Sequence, residues 1–300
     1  MANLDGPSMI RKKALKIQER LGMRVGVAYG TSQTPVVKSL ADTLQALELL
    51  YQSGLKAFVL PGQLFSEIED TQSLYKDFYG ELLKIRTLAQ KYNIELSIHN
   101  DSFSDDPEKI DLTLKILGSI AGIIDCRTLI LHPTFYKMVP QDQALKLVVH
   151  KITEIINTSN MKTKIGFEPT GKINELGSLE DVIEITKRAP KTEPIINFAH
   201  IHARGAGALR TEADFRNIIN EVRASIGQQW LHNAYLMFSG VTYGPSGLKN
   251  YVPSQRSDLK LIYLIKTIMS FGMKGTLIFE DPNREETITQ ILKEFGDMVR

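Results

Sequence analysis

A (β/α)8 TIM barrel with an N-terminal helical extension is the α/β fold that this sequence predicts, and three observations predict it. From Met23 onward, short apolar or β-branched runs alternate with longer segments of helical period, the pattern of repeated βα units. Eight such units fit into 300 residues, the count and the length of one barrel rather than of two domains. Residues of metal-ligand type recur at the ends of several strand segments, where a barrel of this kind assembles its site. The implied division is a helical extension over 1–22 and a barrel domain over 23–300.

Taken in order, the extension "MANLDGPSMIRKKALKIQER" lacks the apolar core of a secretion signal and reads as an added amphipathic helix with basic character. The strands follow as "MRVGVA" (23–28), "KAFVLP" (56–61), "IELSIH" (94–99), "TLILH" (128–132), "KIGFE" (164–168), "PIINFA" (194–199), "AYLMF" (234–238) and "GTLIFE" (275–280). Helical period fills 35–53, 69–92, 107–121, 141–158, 178–188, 211–225, 256–271 and 284–298, with a helix-start signal, "SLED", at Ser178. A doubly wound open sheet is the alternative arrangement of such units. No GxGxxG or GxxxxGK[ST] fingerprint follows any strand, so no nucleotide cofactor is expected.

Composition bounds the function. With 36 basic and 34 acidic residues the net charge is +2, so a polyanion would be met by a local basic face and not by overall charge. The single cysteine, Cys126, sits between apolar neighbours and fits a small core residue in a reducing compartment; cytoplasmic localisation is the expectation. No apolar run approaches the ~20 residues that span a bilayer, so no membrane partner is expected.

The strand ends carry the chemistry. The third strand ends in His99, the fourth in His132, the fifth in Glu168, the sixth in Asn197 followed by His200, and the eighth in Glu280. A barrel gathers these remote residues at one mouth, and imidazole with carboxylate suits zinc or manganese, a shared glutamate being able to bridge two ions. A lone histidine at a strand end is commonly a hydrogen-bonded structural residue, and a lone glutamate there equally caps a loop. The coincidence argues otherwise: of six histidines, three fall at or just past strand ends.

These stretches also bear a resemblance. "SIHND", "LILHPT", "FEPTGKINELGSLEDV", "NFAHIHARG", "FSGVTYGPSGLKNYVP" and "IFEDP", in that order, resemble the endonuclease IV family of apurinic/apyrimidinic-site nucleases, within the xylose isomerase-like TIM barrels. The resemblance implies a metal-dependent DNA-repair hydrolase whose zinc cluster supports cleavage of the phosphodiester beside an abasic site. Abasic DNA is then the expected partner. It implies His99, His132 and Glu168 as one complete metal position, Glu168 as the bridge to a second, and Glu280 as a further ligand of that second ion. Elsewhere the chain departs from the family: Asn197 stands for an aspartate, Met237 for a histidine, and Tyr251 falls in the segment that should supply ligands to a third ion beside His200. One zinc site is therefore expected, with up to three possible and manganese as the alternative metal.

Glu168 and Glu280 are the expected catalytic carboxylates, Arg204 and Lys172 the expected phosphate contacts. His202 is left either as a substitute ligand or as a solvent-facing loop residue. Two other classes stay open. One is a metal-dependent sugar isomerase or epimerase of the same superfamily, which needs a single ion. The other is a non-catalytic relative that binds DNA or a partner through Lys172, Arg204, Arg210, Lys249 and Arg256.

Overall fold

The computed structural model describes residues 7–100, 106–136, 139–159 and 161–298. Helix α1 (Pro7–Leu21) leads into β1 (Met23–Ala28), α2 (Leu40–Ser53) and β2 (Ala57–Pro61). A short α3 (Thr71–Ser73) continues through a π-helical turn (Leu74–Phe78) into α4 (Tyr79–Tyr92), then β3 (Glu95–Asn100), α5 (Pro107–Ile123), β4 (Thr128–Leu131), α6 (Gln141–Thr158) and β5 (Lys164–Phe167). Next come α7 (Leu179–Arg188), β6 (Thr192–Asn197), α8 (Phe198–Arg204), α9 (Glu212–Ile226), β7 (Ala234–Phe238) and a hairpin of β8 (Gly240–Gly244) with β9 (Gly247–Val252). The chain finishes with α10 (Leu261–Phe271), β10 (Gly275–Phe279) and α11 (Thr287–Met298).

Eight strands close into a barrel in the order β1-β10-β7-β6-β5-β4-β3-β2, and every neighbouring pair is parallel. The strands lack a clean polar alternation because both of their faces are buried. One face fills the barrel with Ala28, Ala57, Val59, Ile130, Ile195, Tyr235, Met237 and Ile278, while the other packs under the helices in a larger core that includes Cys126. Among the described residues no helix is long and apolar enough to cross a membrane.

The N-terminal helix is bound into this core. Ala14, Ile17 and Leu21 of α1 are buried. Gln18 donates to the Gly54 carbonyl (2.7 Å) and accepts from the Val25 amide (2.8 Å), so one side chain joins α1 to β1 and to the turn before β2. Barrel closure also explains a glycine. Gly26 lies opposite Ala57 across the β1–β2 ladder, and a Cβ there would stand 2.0 Å from the Ala57 carbonyl oxygen. Backbone cannot yield as a flexible side chain does. Gly26→Ala is expected to destabilise the fold by about 3 kcal/mol, the upper end of ordinary overpacking; an unchanged denaturation midpoint would refute the tight-approach argument.

The helices expected over 35–53 and 256–271 begin at Leu40 and Leu261, and two further elements differ from the sequence-based expectation. The sixth strand stops at Asn197 instead of reaching Ala199, because the Asn197 side-chain oxygen accepts from the Ala199 and His200 amides and starts α8. The segment after β7 forms the β8–β9 hairpin, which lies against α8 at the mouth of the barrel.

Candidate metal centre

The parallel barrel directs the carboxyl ends of its strands to one mouth. His99 is the penultimate residue of β3, before Asn100; His132 and Glu168 directly follow β4 and β5, Asn197 ends β6, His200 lies in the first turn of α8, and Glu280 follows β10. All six are at most 9% exposed. Their ligand atoms fall into two groups, His99 with His132 and Glu168, and Glu168 with His200 and Glu280, each within 4.8 Å and sharing Glu168.

Hydrogen bonds fix how each group presents itself. His132 Nδ1 donates to the Glu168 carbonyl at 3.2 Å, which leaves Nε2 as a lone-pair donor toward the mouth. Tyr29, just past β1, donates its one proton to Glu280 Oε1 (2.7 Å) and contacts His99 Nδ1, so His99 Nδ1 is the donor in that second contact. The opposite nitrogen of His99 then faces Glu168 Oε2 at 3.2 Å, and that buried carboxylate oxygen has no hydrogen bond. Two lone-pair atoms in this relation call for a cation between them, a proton or a metal ion. The donor set therefore fits a divalent ion at His99, His132 and Glu168.

Charge is distributed unevenly. Burial opposes ionisation of Glu168, but the imidazoles of His99, His132 and His200 around it more than offset this and hold it well below the ordinary carboxylate range. Burial together with the charge of Glu168 raises Glu280, and burial raises Tyr29 well above the usual phenol value, with Glu280 adding to it. Burial also lowers His132 to about 4. At His200 burial opposes protonation, yet the hydrogen bond and ion pair with Glu168 prevail and raise it to about 9. Both ring nitrogens of His200 are engaged, Nδ1 with the Pro169 carbonyl (2.7 Å) and Nε2 with the Tyr251 hydroxyl (2.6 Å).

Several expected ligands are placed otherwise. Asn197 turns its amide nitrogen, not its oxygen, to the site: Nδ2 donates to Glu168 Oε1 (2.7 Å) and Glu280 Oε2 (2.8 Å). It stands between two carboxylates as a neutral donor rather than as a metal ligand. Met237 is fully buried in the apolar barrel interior. His202 is neither a mouth ligand nor a solvent-facing loop residue. It is 0% exposed within α8, donating from Nε2 to Asp258 (3.0 Å) and accepting at Nδ1 from the Leu209 amide (3.1 Å).

Arg204 is likewise committed, to Thr170 Oγ1 and the carbonyls of Lys172, Ile173 and Glu175. It braces the loop after β5 instead of presenting a free fork to phosphate. Lys172 is exposed and pairs with Glu175 at 3.4 Å. Arg204→Lys keeps the charge and loses the fork, so faster amide exchange across 170–177 with unchanged metal content is expected; wild-type exchange there would refute the bracing role.

Sequence reasoning missed Tyr29, although the residue after each strand was the place to look, and missed that the hairpin brings Tyr251 onto His200. A separate cavity of about 540 Å³ at the opposite barrel end is lined by Arg24, Lys56, Glu95 and Thr276 among others, and neither ligand group lies there.

Fold and site together define a parallel barrel with a ligand-rich carboxyl-terminal mouth. Residues 47–296 match the profile of the xylose isomerase-like TIM barrel family, and the chain belongs to that family. An uncharacterised protein of Methanocaldococcus jannaschii is 22% identical over 288 residues, 93% of this chain and 100% of that protein. Among solved structures, SacUVDE superposes with a TM-score of 0.68 at 14% identity, covering 92% of this chain and 99% of that one. A D-psicose 3-epimerase gives 0.61 at 12%, covering 87% and 85%, and an AP endonuclease, family 2, from Brucella melitensis gives 0.60 at 14%, covering 89% and 96%. At such identities these structures share the fold. The specific endonuclease IV assignment is narrower than the family match.

Proposed function

We propose that this protein is a metal-dependent phosphodiesterase of the endonuclease IV type, acting on or binding DNA at abasic sites. The observation that carries the reading is the pair of buried ligand groups joined through Glu168, since two neighbouring ions suit the attacking and leaving oxygens of a phosphodiester. His99, His132 and Glu168 would hold the first divalent ion, zinc or manganese, and Glu168, His200 and Glu280 a second. An ion held there supplies Lewis acidity, polarising a substrate oxygen and offsetting charge that develops on it.

The residues of the chain do the rest. Glu280, with its raised carboxyl and its hydrogen bonds to Tyr29 and Asn197, is placed to take up and return a proton at its Oε atoms. Asn197 keeps the two carboxylates apart. Tyr251 occupies His200 Nε2 at the rim and would give way for His200 to serve as a ligand there.

One observation favours a second reading. The Asn197 amide already sits between Glu168 and Glu280, where a second ion would be shared, so a one-ion isomerase or epimerase of neutral sugars is the competitor. The test incubates zinc- or manganese-loaded protein with a duplex bearing one abasic site and, separately, with ketohexoses. Strand cleavage removed by EDTA and by Glu280→Gln supports the phosphodiesterase; sugar interconversion without cleavage or binding of the duplex overturns it. Cleavage that is slow in the native chain is expected to rise in Asn197→Asp/Met237→His/Tyr251→His, which returns anionic or imidazole donors.

A further inference from the structure

Arg204 is occupied by the Thr170 hydroxyl and by backbone carbonyls, and the loop after β10 carries a second guanidinium. Arg284 lies in the loop after β10, four positions beyond Glu280. Its Nη1 donates to the carbonyl of Ala28, the last residue of β1, at 3.3 Å, so its guanidinium reaches the rim beside Tyr29. The contrast with Arg204 is sharp: Arg204 has four acceptors, whereas Arg284 Nε is buried and has no hydrogen bond. A buried donor left unmatched costs about 1–3 kcal/mol, so the fold keeps Arg284 in this position against a cost.

The backbone is set to hold it there. Arg284 adopts the left-handed conformation at φ 52°, as does Tyr29 at φ 69°, which costs a non-glycine residue about 1 kcal/mol or more and is commonly retained where function requires it. The two loops are tied together, since Glu285 accepts from the Ser32 amide at 2.8 and 3.1 Å and from its hydroxyl. Asp281, fully buried, accepts from the Asn283 and Ser254 amides. Burial lowers the Arg284 pKa, opposed by the fields of Glu280, Tyr29, Asp281 and Glu285; these are the charges around it, and none makes a hydrogen bond to Nε.

We propose that Arg284 is the anion-binding residue of the barrel mouth, holding a phosphate oxygen of the substrate beside Glu280. The proposal rests on the phosphodiesterase reading and names the group that reads the phosphate. A guanidinium fork suits a tetrahedral oxyanion, and a partly desolvated one binds it more strongly than an exposed lysine does. A neutral ketose would leave this cation unmatched.

The test titrates inorganic phosphate into manganese-loaded protein by calorimetry, with acetate at equal ionic strength as the comparison anion, for the wild type, Arg284→Met, Arg284→Gln and Arg284→Lys. Phosphate binding is expected to weaken about 10- to 100-fold in the methionine and glutamine variants and less in the lysine variant, with metal content and melting temperature unchanged. Equal phosphate binding by wild type and Arg284→Gln overturns the proposal, as does an equal dependence of acetate on Arg284. A chain that takes up no manganese overturns the functional reading of the site, and the Arg284 comparison in metal-free protein then decides the anion site by itself.

Discussion

Glu168→Ala is expected to empty both ligand groups at once, because Glu168 is the carboxylate they share. Partners that merely orient ligands are worth about 10–100-fold in metal affinity, so loss of the shared ligand should weaken binding by more than about a hundredfold. The same change leaves His200 without its buried ion-pair partner and leaves Glu280 as the carboxylate beside His99 and His200. Breaking such a pair costs about 3–5 kcal/mol. Metal analysis of dialysed protein and melting curves with and without EDTA check both effects. Glu168→Gln, which keeps the volume, should lose the metal with a smaller stability cost. Retention of wild-type metal by either variant would remove Glu168 from the centre.

Asn197→Asp should act in opposite directions on the metal-free and metal-loaded protein. Asparagine donates one amide nitrogen to Glu168 and Glu280 at 2.7 and 2.8 Å. Aspartate would put a third carboxylate there and forfeit two charge-assisted hydrogen bonds, each worth about 1.5–3 kcal/mol. Its oxygen would still cap α8, since asparagine and aspartate are equivalent caps, so the helix start is not what changes. Metal-free protein is expected to lose roughly 3–6 kcal/mol. Manganese or zinc in large excess should restore about 4 kcal/mol at a thousand times its dissociation constant, with a second ion appearing per chain. Equal stability of the two metal-free proteins would mean that the amide does not separate the carboxylates.

The barrel was legible from the sequence because each strand is a short apolar run buried on both faces and separated from the next by helical period. His99, His132, Glu168 and Glu280 were legible as candidates because a strand end needs no apolar side chain unless the site requires otherwise. Residues off the strands were harder to read. "NFAHIHARG" reads as a strand end until the Asn197 cap is recognised, and the cap converts His202 from a mouth residue into a buried partner of Asp258. Arg204 and Arg284 look alike as basic loop residues; only their acceptors tell them apart. Tyr29 carries no ligand signature, and its place between His99 and Glu280 depends on a left-handed backbone that tyrosine seldom adopts.

Closure of the barrel through β1 and β10 also bears on how the chain survives its own synthesis. Met23 pairs with Gly275, so one flank of β1 has no partner until residues about 250 positions later have left the ribosome; at ~5–20 residues per second that is roughly 10–50 s. Throughout that interval the β1 edge, with Met23, Val25 and Val27, is open to pairing with other chains. Chaperones that shield strand edges are therefore expected to raise its folding yield, and slower growth at low temperature should divert less of it into inclusion bodies. Refolding from denaturant faces the same long-range step, so its rate should follow the entropy of bringing the first and last strands together more than the strength of any single βα unit.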